Sequence, residues 1–80
     1  MENQIKVVSE CVEILEKRGL DIESVLVTKD RVQFKFLYKG RSIGVWHMFY
    51  EYGGIFFPAS IVCQAVLYTY EEMKNKVERQ

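Results

Sequence analysis

The sequence is poor in the residues that usually build catalytic and metal sites. It has one histidine and two cysteines, and no carboxylate partner can be assigned to His47, the single histidine. Acid–base catalysis needs a second positioned group, so we expect His47 to be a structural or partly exposed strand residue. Gly53-Gly54 lies in no GxxxxGKS/T or GxGxxG motif, which argues against a phosphate loop. The sequence therefore predicts no enzymatic activity, no bound metal and no cofactor.

The chain also has no net charge and no long apolar run. Eleven Lys and Arg residues balance eleven Asp and Glu residues, so no uniform positive field draws the protein onto nucleic acid or anionic lipid. No run of about 18 apolar residues occurs in the chain, and the first ten residues, MENQIKVVSE, lack the apolar core of an export signal. We expect a cytoplasmic protein without a membrane span.

The two cysteines form no sequence motif. Cys11 and Cys63 stand in apolar stretches of two different predicted helices, without CxxC spacing or a neighbouring histidine. Cysteines in such stretches are usually buried, and a reducing compartment keeps them unpaired. We predict two free, buried thiols rather than a disulfide or a metal site.

Two segments have the apolar periodicity of helices. Over Gln4–Arg18, one side of a helix wound at about 100° per residue is apolar, and Gly19 can end the helix in a left-handed conformation. A second helix is predicted over residues 58–78, with Pro58 or Ser60 at its start. Its inner stripe is predicted to be Val62, Val66, Tyr70, Met73 and Val77.

Between these helices the apolar period falls to two, as in strands with one buried face. Two-residue turns at Lys29-Asp30 and Lys39-Gly40 would connect three antiparallel strands. The pairs predicted across the first turn are Val27 with Val32 and Val25 with Phe34, and those across the second are Phe36 with Ile43, Phe34 with Val45 and Val32 with His47. Gly53-Gly54 predicts a third turn, after which Ile55 to Phe57 would form a short fourth strand.

The order of these elements predicts the fold class. A helix, a three- to four-stranded antiparallel meander and a second helix form a two-layer α+β domain when both helices pack on one face of the sheet. A chain of 80 residues can build only one small core, so we expect a single domain over residues 1–80.

This arrangement leaves apolar side chains without a place in the core. If both helices cover one sheet face, five apolar side chains are predicted on the other, Leu26, Leu37, Trp46, Met48 and Tyr50. The second helix is apolar on nearly every side in its first half, which adds Ile61, Leu67 and Tyr68. Exposed patches of such residues mark interaction surfaces, and we predict a homodimer. The alternative is a shifted register, with the second helix between the sheet and the first.

Another group of residues suits an anionic ligand. Aromatic strands with interleaved basic residues can stack bases, and the element order is also that of the double-stranded RNA-binding domain. That family grips phosphates through a basic cluster at the start of its second helix, where this chain reads PASIVCQAV. Candidate contacts for a small anionic ligand or nucleic acid are Arg31, Lys35, Arg41 and Tyr52.

These patterns favour a non-enzymatic protein-interaction module over ligand or nucleic-acid binding. The module is predicted to be a homodimer that binds a second protein through an aromatic-rich surface. Short, neutral chains without motifs are often accessory proteins of phages or mobile elements. We expect such an origin for this chain because it is of that type, and not because of any particular residue.

Overall fold

The computed structural model describes residues 2–79, without the side chain of Glu2. The elements in chain order are α1 (Glu2–Lys17), β1 (Asp21–Val27), β2 (Arg31–Tyr38), β3 (Arg41–Phe49), β4 (Glu51–Tyr52), β5 (Ile55–Phe56) and α2 (Ala59–Glu78). Strands β1, β2 and β3 form one antiparallel sheet in that order, and β4 and β5 form a separate two-stranded sheet. The predicted α+β fold is confirmed.

Helix α1 ends in a Schellman motif. Gly19 has φ +84°, its N–H donates to the Glu16 carbonyl at 3.0 Å, and the Leu20 N–H donates to the Leu15 carbonyl at 3.1 Å. These two bonds satisfy carbonyls that the helix leaves without a partner. Leu15 and Leu20 are both buried, so the motif also turns the chain back toward the core before β1 begins.

The first hairpin has the predicted register. Val25 lies opposite Phe34 and Val27 opposite Val32. The Thr28 side chain supports the turn, because its hydroxyl donates to the Arg31 carbonyl at 2.9 Å. Alternation of apolar and polar residues was sufficient to predict this register, because every residue of β1 after Ser24 pairs with a single residue of β2.

The second hairpin has the predicted turn but not the predicted register. Lys39 and Gly40 both have positive φ, and Tyr38 lies opposite Arg41 as expected. A β-bulge follows, because Leu37 pairs with Ser42 whereas Phe36 pairs with Gly44, which leaves Ile43 as the extra residue. The observed pairs are therefore Phe34 with Trp46 and Val32 with Met48, and the predicted pairs were wrong.

Helix packing explains why residue 44 is a glycine. A Cβ atom there would lie 2.7 Å from the Sδ atom of Met73, on α2. The missing side chain leaves room beside the bulge for the end of the Met73 side chain of α2.

The core lies between the sheet and a single layer formed by both helices. Helix α1 contacts β1, helix α2 contacts β3, and the helices contact each other. The seven largest fully buried side chains come from α1, β2 and α2, and they are Phe34, Phe36, Leu15, Val32, Val62, Val66 and Cys11. Because the helices lie side by side, the alternative with the second helix between the sheet and the first does not describe this fold.

The predicted fourth strand exists, but it does not extend the main sheet. Strand β5 pairs only with β4, through a turn in which Gly53 and Gly54 have φ of +59° and +83°. The Phe57 N–H donates to the Tyr50 carbonyl at 2.8 Å and closes the base of this hairpin. Pro58 then caps α2 without a side-chain hydrogen bond.

Candidate interaction surface

Four residues predicted to lie on exposed surfaces are instead directed to the core. The bulge at Ile43 moves every later residue of β3 to the opposite face, so Trp46 and Met48 pack against the core and are only partly exposed. Tyr50 is buried, and Leu67 packs against the core from α2. The prediction that Trp46, Met48, Tyr50 and Leu67 face water was wrong.

The largest exposure of apolar side chain is at the β4–β5 hairpin. Tyr52 is 81% exposed, Ile55 71% and Phe56 59%, and we call these three residues the hairpin tip. Tyr52 was predicted as a ligand contact, whereas Ile55 and Phe56 were missed. The Gly53-Gly54 signal could have found them, because residues beside a two-residue turn at the end of a short hairpin have few neighbours to cover them.

A cavity of about 270 Å³ lies between the hairpin and the start of α1. It is lined by Asn3, Gln4, Val7, Tyr50, Phe56 and Phe57. Tyr50, one of the lining residues, has a hydroxyl that is buried without a hydrogen-bond partner, the only such side-chain atom among residues 3–79. Burial raises the pKa of Tyr50, the Thr28 backbone offsets part of this rise, and the Asp30 carboxylate adds to it. The Thr28 N–H already donates to the Arg31 carbonyl at 2.9 Å, so it does not satisfy the hydroxyl.

The sheet face opposite the helices, which we call the open face, is of mixed character. Its exposed apolar side chains are Leu26, Val45 and Phe49, and Leu37 is half-buried there. His47 is exposed on this face, and its ring meets the Phe49 ring edge-on at 6.3 Å. Leu26 and Leu37 therefore lie on the predicted face. Val45 and Phe49 lie on the same face because the bulge reverses the orientation of the later side chains of β3.

The candidate ligand residues do not come together. Arg31 lies opposite Phe49 at one end of the open face, with its guanidinium 4.9 Å from the ring centroid. Arg41 lies opposite Tyr38, on the sheet face that carries the helices, because the Lys74 ammonium of α2 lies over the Tyr38 ring; Arg41 is roughly 23 Å from Arg31 along the strand direction. Lys35 is exposed between them, and Tyr52 is on the hairpin.

Arg31 also forms an exposed ion pair. Its guanidinium is 3.5 Å from the Asp30 carboxylate. The hydrogen bond from Arg31 is the main reason why the pKa of Asp30 is below its ordinary value. An exposed pair of this kind contributes little to stability, so Arg31 is not committed to a structural role.

Helix α2 carries a second exposed apolar stripe. Tyr68 is 70% exposed, Ile61 is 41% exposed, and Ala65 between them is partly exposed. We call these three residues the α2 stripe. Cys63, which contacts α1, lies about 160° around the helix from Ala65 at 100° per residue, so the α2 stripe faces away from α1.

The remaining chemistry is confined to two thiols. Cys11 and Cys63 are both buried and free, as predicted, with their Sγ atoms 3.3 Å apart. Burial raises the pKa of the Cys11 thiol, and contact with Cys63 raises it further. A buried thiol whose pKa is raised in this way is a poor nucleophile. Within residues 3–79 no group of three His, Cys, Asp or Glu side chains is placed to hold a metal ion.

Neither of the two helices in the described part of the chain has the length and apolar character needed to cross a bilayer. Comparisons with protein-family models, with curated proteins and with solved structures found no match.

Proposed function

We propose that this protein is a small non-enzymatic interaction module that self-associates and binds another protein through the hairpin tip. The observation that carries the proposal is the exposure of Tyr52, Ile55 and Phe56, three large apolar side chains on one short hairpin, with Tyr52 and Ile55 paired on one face and Phe56 on the other. A monomer gains nothing in stability from side chains that remain in water. Exposed clusters of large apolar side chains are typical of protein-binding surfaces.

The structure of the hairpin supports this role. Two consecutive glycines with positive φ form a tight turn, and the bond from the Phe57 N–H to the Tyr50 carbonyl ties its base to the end of β3. A hairpin held at both ends presents its side chains with little freedom to lose on binding. Tyrosine is also one of the residue types most enriched among the energetically dominant residues of interfaces.

A partner for this surface would have an apolar groove or pocket. The only charged residue in β4 and β5 is Glu51, so desolvation of charge adds little to the cost of binding. We expect affinity to come from burial of the three side chains and not from long-range attraction, because the whole chain has no net charge.

Site-specific photo-cross-linking in the native host tests the proposal. A photoreactive phenylalanine analogue at Phe56 should give an adduct of one defined mass, because the side chain lies within the contact. The matched control places the same analogue at Glu10, an exposed position on α1. Excess wild-type protein should suppress the adduct, whereas excess Tyr52→Ser/Ile55→Ser protein should not. Equal adducts at both positions, or none at Phe56, would contradict the proposal.

One observation favours a second candidate, binding of an anionic ligand on the open face. From Arg31 to Phe49 the chain has four basic residues and no acidic one. Arg31 and Lys35 lie on the open face beside Phe49 and His47. This candidate requires that binding to mixed RNA and DNA weaken steeply as salt rises, and a binding curve that is flat or insensitive to salt rules it out.

A further inference from the structure

The two edges of the main sheet differ in how well they are protected. Edge strand β1 begins with Asp21, and its ladder is interrupted at Glu23, the extra residue of a β-bulge. Bulges and charges are the usual devices that prevent another strand from pairing with an edge. Edge strand β3 has neither of them over its last five residues.

The segment Val45–Phe49, which we call the β3 edge, is regular and uncharged. Each of its residues has a single partner on β2, and no other backbone bond of the described chain reaches its free side. Because alternate N–H and C=O groups of an edge strand point away from the sheet, this segment can accept another strand. Val45 and Phe49 are each 49% exposed, which is more than is usual for apolar side chains of a strand that has neighbours on both sides.

The α2 stripe lies on the same flank of the molecule. Helix α1 contacts β1 and helix α2 contacts β3, so the side of α2 that faces away from α1 points past the β3 edge. Phe57, just before α2, bonds to Tyr50, just after β3, and Met73 near the end of α2 contacts Gly44 near the start of β3, so α2 runs alongside this strand in the opposite direction. The middle of the α2 stripe is therefore near the level of Trp46.

We infer that the β3 edge pairs antiparallel with the β3 edge of a second copy, forming a six-stranded sheet in which the two α2 stripes face each other. This inference rests on the self-association that we propose above and specifies where it occurs. The two-fold axis would be perpendicular to the sheet, so the helices of both copies lie on one side. Ala65, the small residue of the stripe, lets the two helices approach closely.

Charge favours a second copy as the occupant of this edge. Arg41 is at the start of β3, and Glu51 follows two residues after its end. Antiparallel pairing about Trp46 joins residues 44–48 of the two copies, with Val45 opposite the partner's His47, and brings each Arg41, beyond the bulge, toward the partner's Glu51. No like charges meet along the paired segment, because residues 42–50 contain no charged side chain.

Assembly would also stop at two copies. The six-stranded sheet ends on both sides in β1, where the bulge at Glu23 and the nearby Asp21 oppose further pairing. A stable dimer hides about 800 Å² on each partner, which is roughly one seventh of the 5587 Å² surface of this chain. Strand pairing in one layer and the α2 stripe in the other together cover such an area better than either does alone.

Sedimentation velocity over a concentration series tests the inference with three variants. Val45→Lys/His47→Lys places like charges opposite each other across the axis, and its dimer dissociation constant should rise at least about tenfold. Val45→Glu/His47→Lys places opposite charges at the same positions and should restore most of the affinity. Leu26→Lys, an equally exposed position on β1, is the control and should leave the dimer unchanged.

Hydrogen exchange gives a second readout that needs no substitution. Amides of Val45–Phe49 that point away from β2 should become more protected as protein concentration rises, while amides of β1 should not. A dimer unaffected by Val45→Lys/His47→Lys would overturn the inference and leave self-association standing. A strictly monomeric wild-type chain would overturn both, whereas binding of another protein by the hairpin tip is decided separately by cross-linking at Phe56.

Discussion

Replacement of Tyr50 by phenylalanine should stabilise the protein. The residue is 5% exposed, and its hydroxyl has no hydrogen-bond partner in the described chain. A polar group buried without a partner costs about 1–3 kcal/mol of desolvation that folding does not recover. Tyr50→Phe removes the oxygen and keeps the ring, so the free energy of unfolding should rise by about 1 kcal/mol or more. For a domain of this size that corresponds to an increase in Tm of roughly 4–8 °C.

Urea denaturation followed by far-UV circular dichroism and by Trp46 fluorescence measures the change. Trp46 is the only tryptophan, and its ring stacks against Phe34 at a centroid distance of 6.4 Å, so its emission reports on the core. Tyr70→Phe is the matched control. Tyr70 is buried to the same extent, but its hydroxyl is not among the atoms buried without a partner. Its replacement should change stability by less than about 0.5 kcal/mol.

The result that would refute this reasoning is a loss of stability. If Tyr50→Phe unfolds at lower urea than wild type with the same slope, the hydroxyl has a partner that offsets its burial. A water molecule in the neighbouring cavity would be the simplest such partner. Equal changes for Tyr50→Phe and Tyr70→Phe would show that the environments of the two hydroxyls do not differ.

Three further predictions follow from the fold. The pKa of the Cys11 thiol is raised in the folded state, so as pH rises the unfolded chain loses this proton before the folded chain does. The free energy of unfolding should therefore fall above about pH 8.5, by at most about 1.4 kcal/mol per pH unit. Urea titrations at pH 8.5 and 9.5 measure this slope, which Cys11→Ala should flatten. Gly19→Ala should lower the free energy of unfolding by about 1 kcal/mol, because residue 19 has φ +84°, and an unchanged urea midpoint would refute the role of the Schellman motif. Gln33→Cys/His47→Cys should form a disulfide across the open face, detected as a loss of two mass units, whereas Gln33→Cys/Trp46→Cys should not.

Local sequence patterns predicted most of the fold because each element carries its own signal. The apolar stripe of α1, the glycine after it and the two-residue turns depend on neighbours within a few positions. The register of β1 against β2 follows from such local information, since the ladder beside the turn at Lys29-Asp30 is regular. Residues 58–78 gave α2 to within one residue at its start for the same reason.

The register of β2 against β3 could not be predicted in this way. The bulge at Ile43 has no local signal in the strand apart from Gly44, which packs against Met73 of a helix almost 30 positions later. A prediction of regular pairing omits this extra residue and therefore assigns Trp46 and Met48 to the wrong face of the sheet. Much of the predicted interface therefore belongs to the core, while Leu26, Ile61 and Tyr68 remain on the surface.

The hairpin tip was underestimated for a different reason. A short apolar run such as Ile55 to Phe57 looks like a buried strand when only composition is considered. Its exposure follows from the size of the domain, because the two helices already cover the inner sheet face and, in the described chain, β4 and β5 have extensive contacts only with each other.

Because of the Ile43 bulge, the number of residues in β3, and not only their identity, determines which side chains of this strand face the core. Five successive side chains, from Val45 to Phe49, owe their orientation to one residue that has no partner on β2. Deletion of Ile43 would leave composition almost unchanged and yet send the indole of Trp46 into water and the imidazole of His47 toward the phenylalanines of β2. A protein of this size can therefore lose its core to a one-residue change of strand register while every fully buried side chain is still present in the chain.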